Sequence, residues 1–427
     1  MKKLLIHGGK RLTGEISISG AKNAAVAMLP ALLLTDGICD IDNLPDIEDV
    51  RIILKMLEHL GVSIKEKAKG TISACAKNMN TYEASHPMMS RMRASYYFLG
   101  AMLGRSSKAE VVMPGGCAIG QRPIDQHIKG LTALGAKITT EHGVIKAEAP
   151  GGLRGTEIFL DIASVGATVN LLLAAVRAKG TTTIFNCAKE PHVVDFANFL
   201  NCMGASVKGA GTDVIRIKGQ QNLHGCNYTI IPDQIETGTL MIAAAATKGD
   251  VLIKNAIPTH MGAVSAKLIE MGVQVEEGID HLRVSSSSRP RSVNIKTLPY
   301  PGFPTDLQQP MTALLSTADG TSVINENIFE ERFNHIYEIR RMGADINIDG
   351  HIAVVRGVEK LTGAHVKASD LRAAAALVIA GLMAEGETLI SNMKYIDRGY
   401  DHLDEKLNSL GAEVLRLETP DEDEISY

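Results

Sequence analysis

One short phrase recurs six times and constrains this chain more than any other feature. An apolar helix end, a glycine, a small or β-branched residue and an alternating strand appear as LEHLGVSIK at Leu57 and LTALGAKIT at Leu131. They return as FLNCMGASVK at Phe199, LIEMGVQVE at Leu268, IRRMGADIN at Ile339 and LNSLGAEVL at Leu407. The glycines Gly61, Gly135, Gly204, Gly272, Gly343 and Gly411 stand 74, 69, 68, 71 and 68 residues apart. Repetition at a fixed period means one supersecondary unit copied along the chain. Each glycine fits the position just past a helix end, where the backbone turns left-handed.

Upstream of each phrase lies a second helix, apolar nearly all round: 24–34, 94–103, 167–178, 239–246, 307–317 and 371–384. A helix without a polar face has to be buried. After each comes a strand, at 38–41, 110–113, 181–184, 251–253, 322–324 and 388–390. One buried helix, one amphipathic helix and short strands per copy predict an α/β fold with sheets outside a bundle of buried helices, an inside-out α/β barrel. Six copies divide into two domains of three. The expected division is 22–231 for one domain and 1–21 plus 232–427 for the other. The segment before Lys22 is expected to pair with the C-terminal domain, and a cleft between two domains is a common place for a ligand.

Composition excludes several classes. The net charge is −4 and there is no Trp among 427 residues, which disfavours a nucleic-acid surface. Six cysteines without any C-x-x-C pair fit neither a zinc site nor a disulfide framework, and free thiols suit a cytoplasmic location. The longest apolar helix candidate, 373–384, is too short to cross a membrane. Neither a phosphate-binding G-x-x-x-x-G-K-[ST] loop nor a strand-linked G-x-G-x-x-G is present. No metal site and no cofactor are expected.

Chemistry-bearing residues collect on loops at the starts of the buried helices. The stretch 111–127, VVMPGGCAIGQRPIDQH, puts Cys117 and Arg122 on one Gly/Pro-rich loop. A thiol near a cation is activated, and Arg grips carboxylate or phosphate with two parallel hydrogen bonds; Cys117 also reads as an ordinary small apolar residue. Lys22-Asn23 opens the first buried helix, either as an anion site or as a solvated Lys beside an N-cap Asn. Arg93, the small-residue turn 161–168 with Ser164 and Val165, Arg372 and Arg398 hold similar places. Asp233 and Glu236 read as a capped helix start near the positive dipole end. Asp306 closes a rigid Pro-rich loop and fits either an N-cap or a general base. Convergence of Lys22, Arg93, Arg122, Arg372 and Arg398 on one site would suit a small, highly anionic ligand.

Together, SGAKNA at Ser19, PGGCAIGQRPID at Pro114, SVGAT at Ser164, PDQIETGT at Pro232, FPTD at Phe303, DLRA at Asp370 and IDRGY at Ile396 resemble the enolpyruvyl transferases that act on UDP-N-acetylglucosamine. The likeness runs from Leu12 to about Leu417. It implies transfer of the enolpyruvyl group of phosphoenolpyruvate to the sugar 3′-hydroxyl with release of phosphate, the first committed step of peptidoglycan synthesis. By the resemblance Cys117 delivers a proton to the methylene carbon, and Asp306 takes the hydroxyl proton. Lys22, Arg122 and Arg398 hold phosphoenolpyruvate, with Asn23 beside the reacting groups. Arg93, the run Arg122, Pro123, Ile124, Asp125 and Gln126, the turn with Ser164 and Val165, Asp306, Ile328 and Arg372 match nucleotide-sugar positions. A Cys rather than an Asp at 117 implies alkylation by the epoxide antibiotic fosfomycin. Ile162 and Glu48 depart from the pattern, standing where some relatives carry Lys. The shikimate-pathway transferases share the repeat but lack the Cys loop, and a homologue that binds without catalysing is the remaining alternative.

Overall fold

The computed structural model describes residues 2–84, 93–113 and 124–418, with the side chain of Arg93 left out. Among these residues twelve α-helices alternate in character. The odd-numbered ones are α1 Lys22–Ala31, α3 Tyr96–Ser106, α5 Val165–Ala175, α7 Gln234–Ala246, α9 Gln308–Leu315 and α11 Leu371–Met383. These are the apolar helices of the repeat, and α9 is buried along its whole length. The even-numbered ones are α2 Glu48–His59, α4 Asp125–Ala133, α6 Pro191–Cys202, α8 Gly262–Glu270, α10 Asn334–Arg341 and α12 Leu403–Ser409. Most of them bury one stripe, as Val50, Ile53, Met56 and Leu57 do in α2, the spacing of a single helix face, while α6 is buried over most of its surface.

All six even helices end alike. In α2 the N–H of Gly61 bonds Glu58 O and that of Val62 bonds Leu57 O; in α10 Gly343 bonds Arg340 O and Ala344 bonds Ile339 O. These are Schellman caps, which require a left-handed residue at the turn. The six repeat glycines have φ between 88° and 99°.

Each copy contributes to a four-stranded sheet, and every sheet is completed by a strand from another copy. The central strand Thr181–Phe185 runs antiparallel to Val214–Lys218, which pairs with Ser206–Lys208. On its other side lies Glu157–Phe159, a parallel strand handed on from the second copy. The third copy then passes Asn227–Thr229 back to Cys39–Asp42 of the first, so three sheets form a closed cycle. In the other half the N-terminus does the same job. Lys2–His7 fills the hairpin position of the sixth sheet, between Glu387–Ser391 and Glu413–Glu418. Thr13–Ser17 passes on as the parallel edge of the fourth sheet, beside Asp250–Lys254.

An asparagine fixes most of these handovers. Asn43, Asn186, Asn255 and Asn392 each follow a central strand in the left-handed conformation, which Asn tolerates better than most residues. Their Nδ2 groups donate to Ile230 O, Leu160 O, Ile18 O and Ala368 O, just past the borrowed strand. Asn327 makes the corresponding bond to Thr297 O in the fifth copy.

Among the described residues the chain divides into two compact units, 2–19 with 232–418, and 20–84 with 93–113 and 124–231. Each has its own apolar core of Leu, Ile, Val, Ala and Met. Among the described residues no helix is long and apolar enough to cross a membrane.

Candidate active site

In the unit formed by 2–19 and 232–418, the described site centres on Asp306. The sequence left it between a helix cap and a base; the structure removes the cap reading. The 3₁₀ turn Thr305–Leu307 and helix α9 have no side-chain cap bond. Asp306 instead accepts from two guanidinium groups: Arg332 Nη2 at 2.6 Å on Oδ1, and Arg372 Nε and Nη2 at 3.1 and 2.9 Å on Oδ2. Both arginine side chains are almost fully buried, while the carboxylate keeps a quarter of its surface exposed. Burial by itself would raise the Asp306 pKa, but the two cations hold it well below the usual carboxylate range.

The supports of this clamp are local. Asp370 caps α11 by accepting from the N–H of Arg372 and Ala373, which fixes the backbone from which Arg372 reaches. The Arg372 guanidinium lies 5.3 Å from the Tyr400 ring centre, a cation–π contact, and Tyr400 shares a 2.8 Å hydroxyl bond with Thr239. Arg332 Nη1 donates to Thr305 Oγ1, which donates in turn to the buried Glu326. Glu326 also accepts from the N–H of Ile328, whose side chain stays partly exposed. Arg332 is a residue that sequence reasoning missed. It sits in the charged run Glu330-Glu331-Arg332, which reads as solvated surface.

Nearby, Asp233 caps α7, as read from sequence. Glu236 does not simply complement the helix dipole: it is buried against Lys406, which also reaches Ser19 Oγ. Burial raises the Glu236 pKa to about 7 despite that ammonium. Arg398 is half-buried at the end of the 3₁₀ helix Met393–Arg398, and its neighbour Asp397 is bound by Arg416 at 2.7 Å.

In the other unit, Lys22 is the first residue of α1 and is buried rather than solvated, with Nζ 2.8 Å from Asp49 Oδ2 in the first turn of α2. Asn23 is no N-cap; that position is Ala21, and Asn23 lies half-buried inside the first turn. Asp49 was also missed, because an acidic residue in a first helical turn is adequately explained by the dipole. At the start of α4, Ile124 is half-buried and Asp125 exposed. Gln126 Nε2 donates to Asp161 Oδ2 and its Oε1 accepts from the Asp161 N–H, both at 2.9 Å. Lys129 adds a 2.7 Å ion pair to Asp161. Gln126 thereby ties α4 to the turn in which Ser164 caps α5 ahead of Val165. Ile162 stands exposed there. Cys117, Arg122 and Pro123 lie outside the described residues, as does the Arg93 side chain. Among the described residues no group of three or more His, Cys, Asp or Glu is placed to hold a metal ion.

Comparison with known proteins places the chain as a whole. A family model for EPSP synthase (3-phosphoshikimate 1-carboxyvinyltransferase) matches residues 6–407. UDP-N-acetylglucosamine 1-carboxyvinyltransferase 3 of Caldanaerobacter subterraneus subsp. tengcongensis is 56% identical over 98% of this chain and 100% of its own. The corresponding enzyme of Clostridium botulinum is 55% identical, again over 98% and 100%. The chain belongs to the UDP-N-acetylglucosamine 1-carboxyvinyltransferase family. Enolpyruvyl transferase NikO from Streptomyces tendae superposes with a TM-score of 0.89 at 26% identity, covering 98% of this chain and 99% of that one. An EPSP synthase of Acinetobacter baumannii gives 0.76 at 21% identity, with 98% and 100% covered, and so shares the fold.

Proposed function

We infer that this chain is a UDP-N-acetylglucosamine 1-carboxyvinyltransferase, moving the enolpyruvyl group of phosphoenolpyruvate to the 3′-hydroxyl of UDP-N-acetylglucosamine and releasing phosphate. The observation that carries the reading is identity of 53–56% over nearly the whole chain to enzymes of that name. The shikimate-type alternative rests on a family model described for 3-phosphoshikimate 1-carboxyvinyltransferase and on structural neighbours of much lower identity. The reaction is the first committed step of peptidoglycan synthesis, and the enzyme acts in the cytoplasm on these two substrates.

The fold we attach to it is an inside-out α/β barrel of two domains, 22–231 and 1–21 with 232–427, with sheets outside the buried helices. The handover of strands from copy to copy and the burial of the odd helices support that arrangement.

Chemically, the 3′-oxygen bonds to C2 of phosphoenolpyruvate while Cys117 gives a proton to C3. The tetrahedral adduct then loses phosphate as C3 gives a proton back. Lys22, Arg122 and Arg398 neutralise the carboxylate and phosphate, and Asn23 lies beside the reacting groups. Arg93, Arg122, Pro123, Ile124, Asp125, Gln126, Ser164, Val165, Ile328 and Arg372 hold the nucleotide sugar.

Asp306 accepts the hydroxyl proton. Gripped by two arginines, it is ionised at neutral pH and so able to accept that proton.

The test is phosphate release from phosphoenolpyruvate, with and without UDP-N-acetylglucosamine, by the native protein and by Cys117→Ser. Release that needs the nucleotide sugar and falls sharply in the variant is expected. No release from the folded protein would overturn the reading, and release with shikimate 3-phosphate instead would replace it.

A further inference from the structure

Three of the five described cysteines meet at one place, and nothing in the transfer reaction uses them. Cys39 opens the central strand Cys39–Asp42, and Cys226 immediately precedes the borrowed strand Asn227–Thr229 that closes the cycle of three sheets. The parallel register sets Asn227 opposite Asp40 and Tyr228 opposite Ile41. Cys226 therefore stands opposite Cys39, and the Asp40 N–H bonds the Cys226 carbonyl at 2.9 Å. Side chains alternate along a strand, so Cys39 and Cys226 share the inward face with Ile41 and Tyr228.

Helix α6 lies across that face. Asp195, Phe199 and Cys202, at helical i, i+4 and i+7, all meet the borrowed strand. Asp195 Oδ1 accepts from the Tyr228 hydroxyl at 2.6 Å, and the Phe199 and Tyr228 rings are 5.3 Å apart, edge to face. The Cys202 thiol reaches Asn227 O at 3.6 Å. The Cys226 and Cys39 thiols perturb one another, lowering the pKa of Cys39 and raising that of Cys226. Cys39 is fully buried, whereas Cys202 and Cys226 are half-buried.

We propose that Cys226 and Cys39 form a peroxide-oxidisable dithiol that staples the closing strand of this unit to its first strand. Neighbouring strands lie about 4.8 Å apart, inside the span of roughly 4.4–6.8 Å between Cα atoms that a disulfide bridges. Hydrogen peroxide first oxidises the half-buried Cys226 thiol to a sulfenic acid and leaves as water. The Cys39 sulfur then attacks the Cys226 sulfur. The S–S bond forms, the S–O bond breaks, and a second water departs with the Cys39 proton. Two thiols are oxidised by two electrons while one peroxide is reduced to two waters. The neighbouring Cys39 and burial raise the Cys226 pKa, so exposure rather than thiolate character selects Cys226 as the sulfur that peroxide reaches. Cys187, by contrast, is fully buried, which shields it from peroxide.

Treatment of the full-length protein with hydrogen peroxide, alkylation of the remaining thiols and peptide mapping without reduction provides the test. The expected product is a dithiothreitol-reversible cross-link joining the Cys39 and Cys226 peptides. It should be lost in Cys226→Ser and in Cys39→Ser but kept in Cys202→Ser and in Cys117→Ser. A cross-link to Cys202 instead, or sulfinic and sulfonic acids with no cross-link, overturns the proposal. The wild-type map decides the matter even if a serine variant fails to fold.

Discussion

The first and fifth copies of the repeat place a charged pair at the same position with opposite polarity. In both, a residue at or just before the start of the buried helix meets one at or just before the start of the amphipathic helix that follows. In the first copy the buried helix offers a cation, Lys22, and α2 answers with Asp49. In the fifth the buried helix offers an anion, Asp306, and the segment before α10 answers with Arg332, with Arg372 of the sixth copy added. The scaffold thus fixes where the charge sits, while its sign is free to differ. One cation held by an acid leaves a single buried acid behind if it is removed. One acid held by two cations leaves two buried cations behind if it is removed.

That asymmetry gives the largest expected effect. Asp306→Ala strands Arg332 and Arg372 together, and loss of one partner of a buried ion pair typically costs about 3–5 kcal/mol. Phosphate release should fall by roughly 10²–10⁴ if the carboxylate acts as base. Because two neighbouring guanidiniums bind phosphate well, high inorganic phosphate should restore part of the lost melting temperature in Asp306→Ala. The same addition should do nothing for Lys22→Ala. Equal responses of the two variants would break the contrast.

Next comes the single pair. Lys22→Met deprives the buried Asp49 of that counter-charge and should cost about 3 kcal/mol. The double change Lys22→Met with Asp49→Leu replaces the pair by apolar groups and should recover most of the stability, since such replacements are often neutral. Turnover should be lost in both. A double variant that regains activity would show that Lys22 serves structure only.

Two further carboxyls sharpen the comparison through pH. Asp195 Oδ2 accepts from the N–H of Ile231, and Glu236 Oε2 from that of Ser19, each at 3.3 Å and each at the last residue of a segment in its own unit. Burial raises Asp195 to about 6 and Glu236 to about 7. A carboxyl whose folded pKa is raised holds its proton longer folded than unfolded, so stability falls as pH rises between the two values. For Asp195 that window runs from 3.8 to about 6, and for Glu236 from 4.5 to about 7. The limiting slope is about 1.4 kcal/mol per pH unit for each group. Chemical denaturation should show Glu236→Gln flattening the fall between pH 6 and 7. Asp195→Asn should act only lower, and an unchanged slope in both variants would reject the assignment.

What the sequence disclosed follows the range of the interactions. The six glycines, the buried helices and the strands after them are local patterns, and they lie within a few residues of their expected places. Strand handover was not legible, because Asn227 pairing with Asp40, or Leu4 with Ile390, joins residues far apart in sequence. Only the pairing of the N-terminal segment with the C-terminal half was anticipated. At the site, Asp306 and Arg372 could be named, but not that they touch. Arg332 and Asp49 were hidden by environments that explain a charge without function. The equivalence of copies is the signal that could have found them: once Lys22 and Asp306 are recognised as matching positions, the start of the following helix is where each partner should be sought.

The smallest expected effects test that equivalence directly. At all six caps the left-handed backbone favours glycine, and an L-residue there costs about 1–2 kcal/mol from its own Cβ. What surrounds the cap then ranks the copies. A Cβ at Gly135 or Gly343 meets nothing within 4 Å, so Gly135→Ala and Gly343→Ala should lose only the backbone term, equally in the two units. At Gly204 the added carbon comes within 2.8 Å of the His224 ring, an exposed side chain that can swing aside. At Gly61 it comes within 2.6 Å of the Asn78 carbonyl, backbone that cannot move alone. Gly61→Ala should therefore lower the unfolding midpoint most and Gly204→Ala next, with the other two together at the bottom. A difference between Gly135→Ala and Gly343→Ala as large as the gap to Gly61→Ala would mean that the copies are alike in sequence phrase but not in energetics.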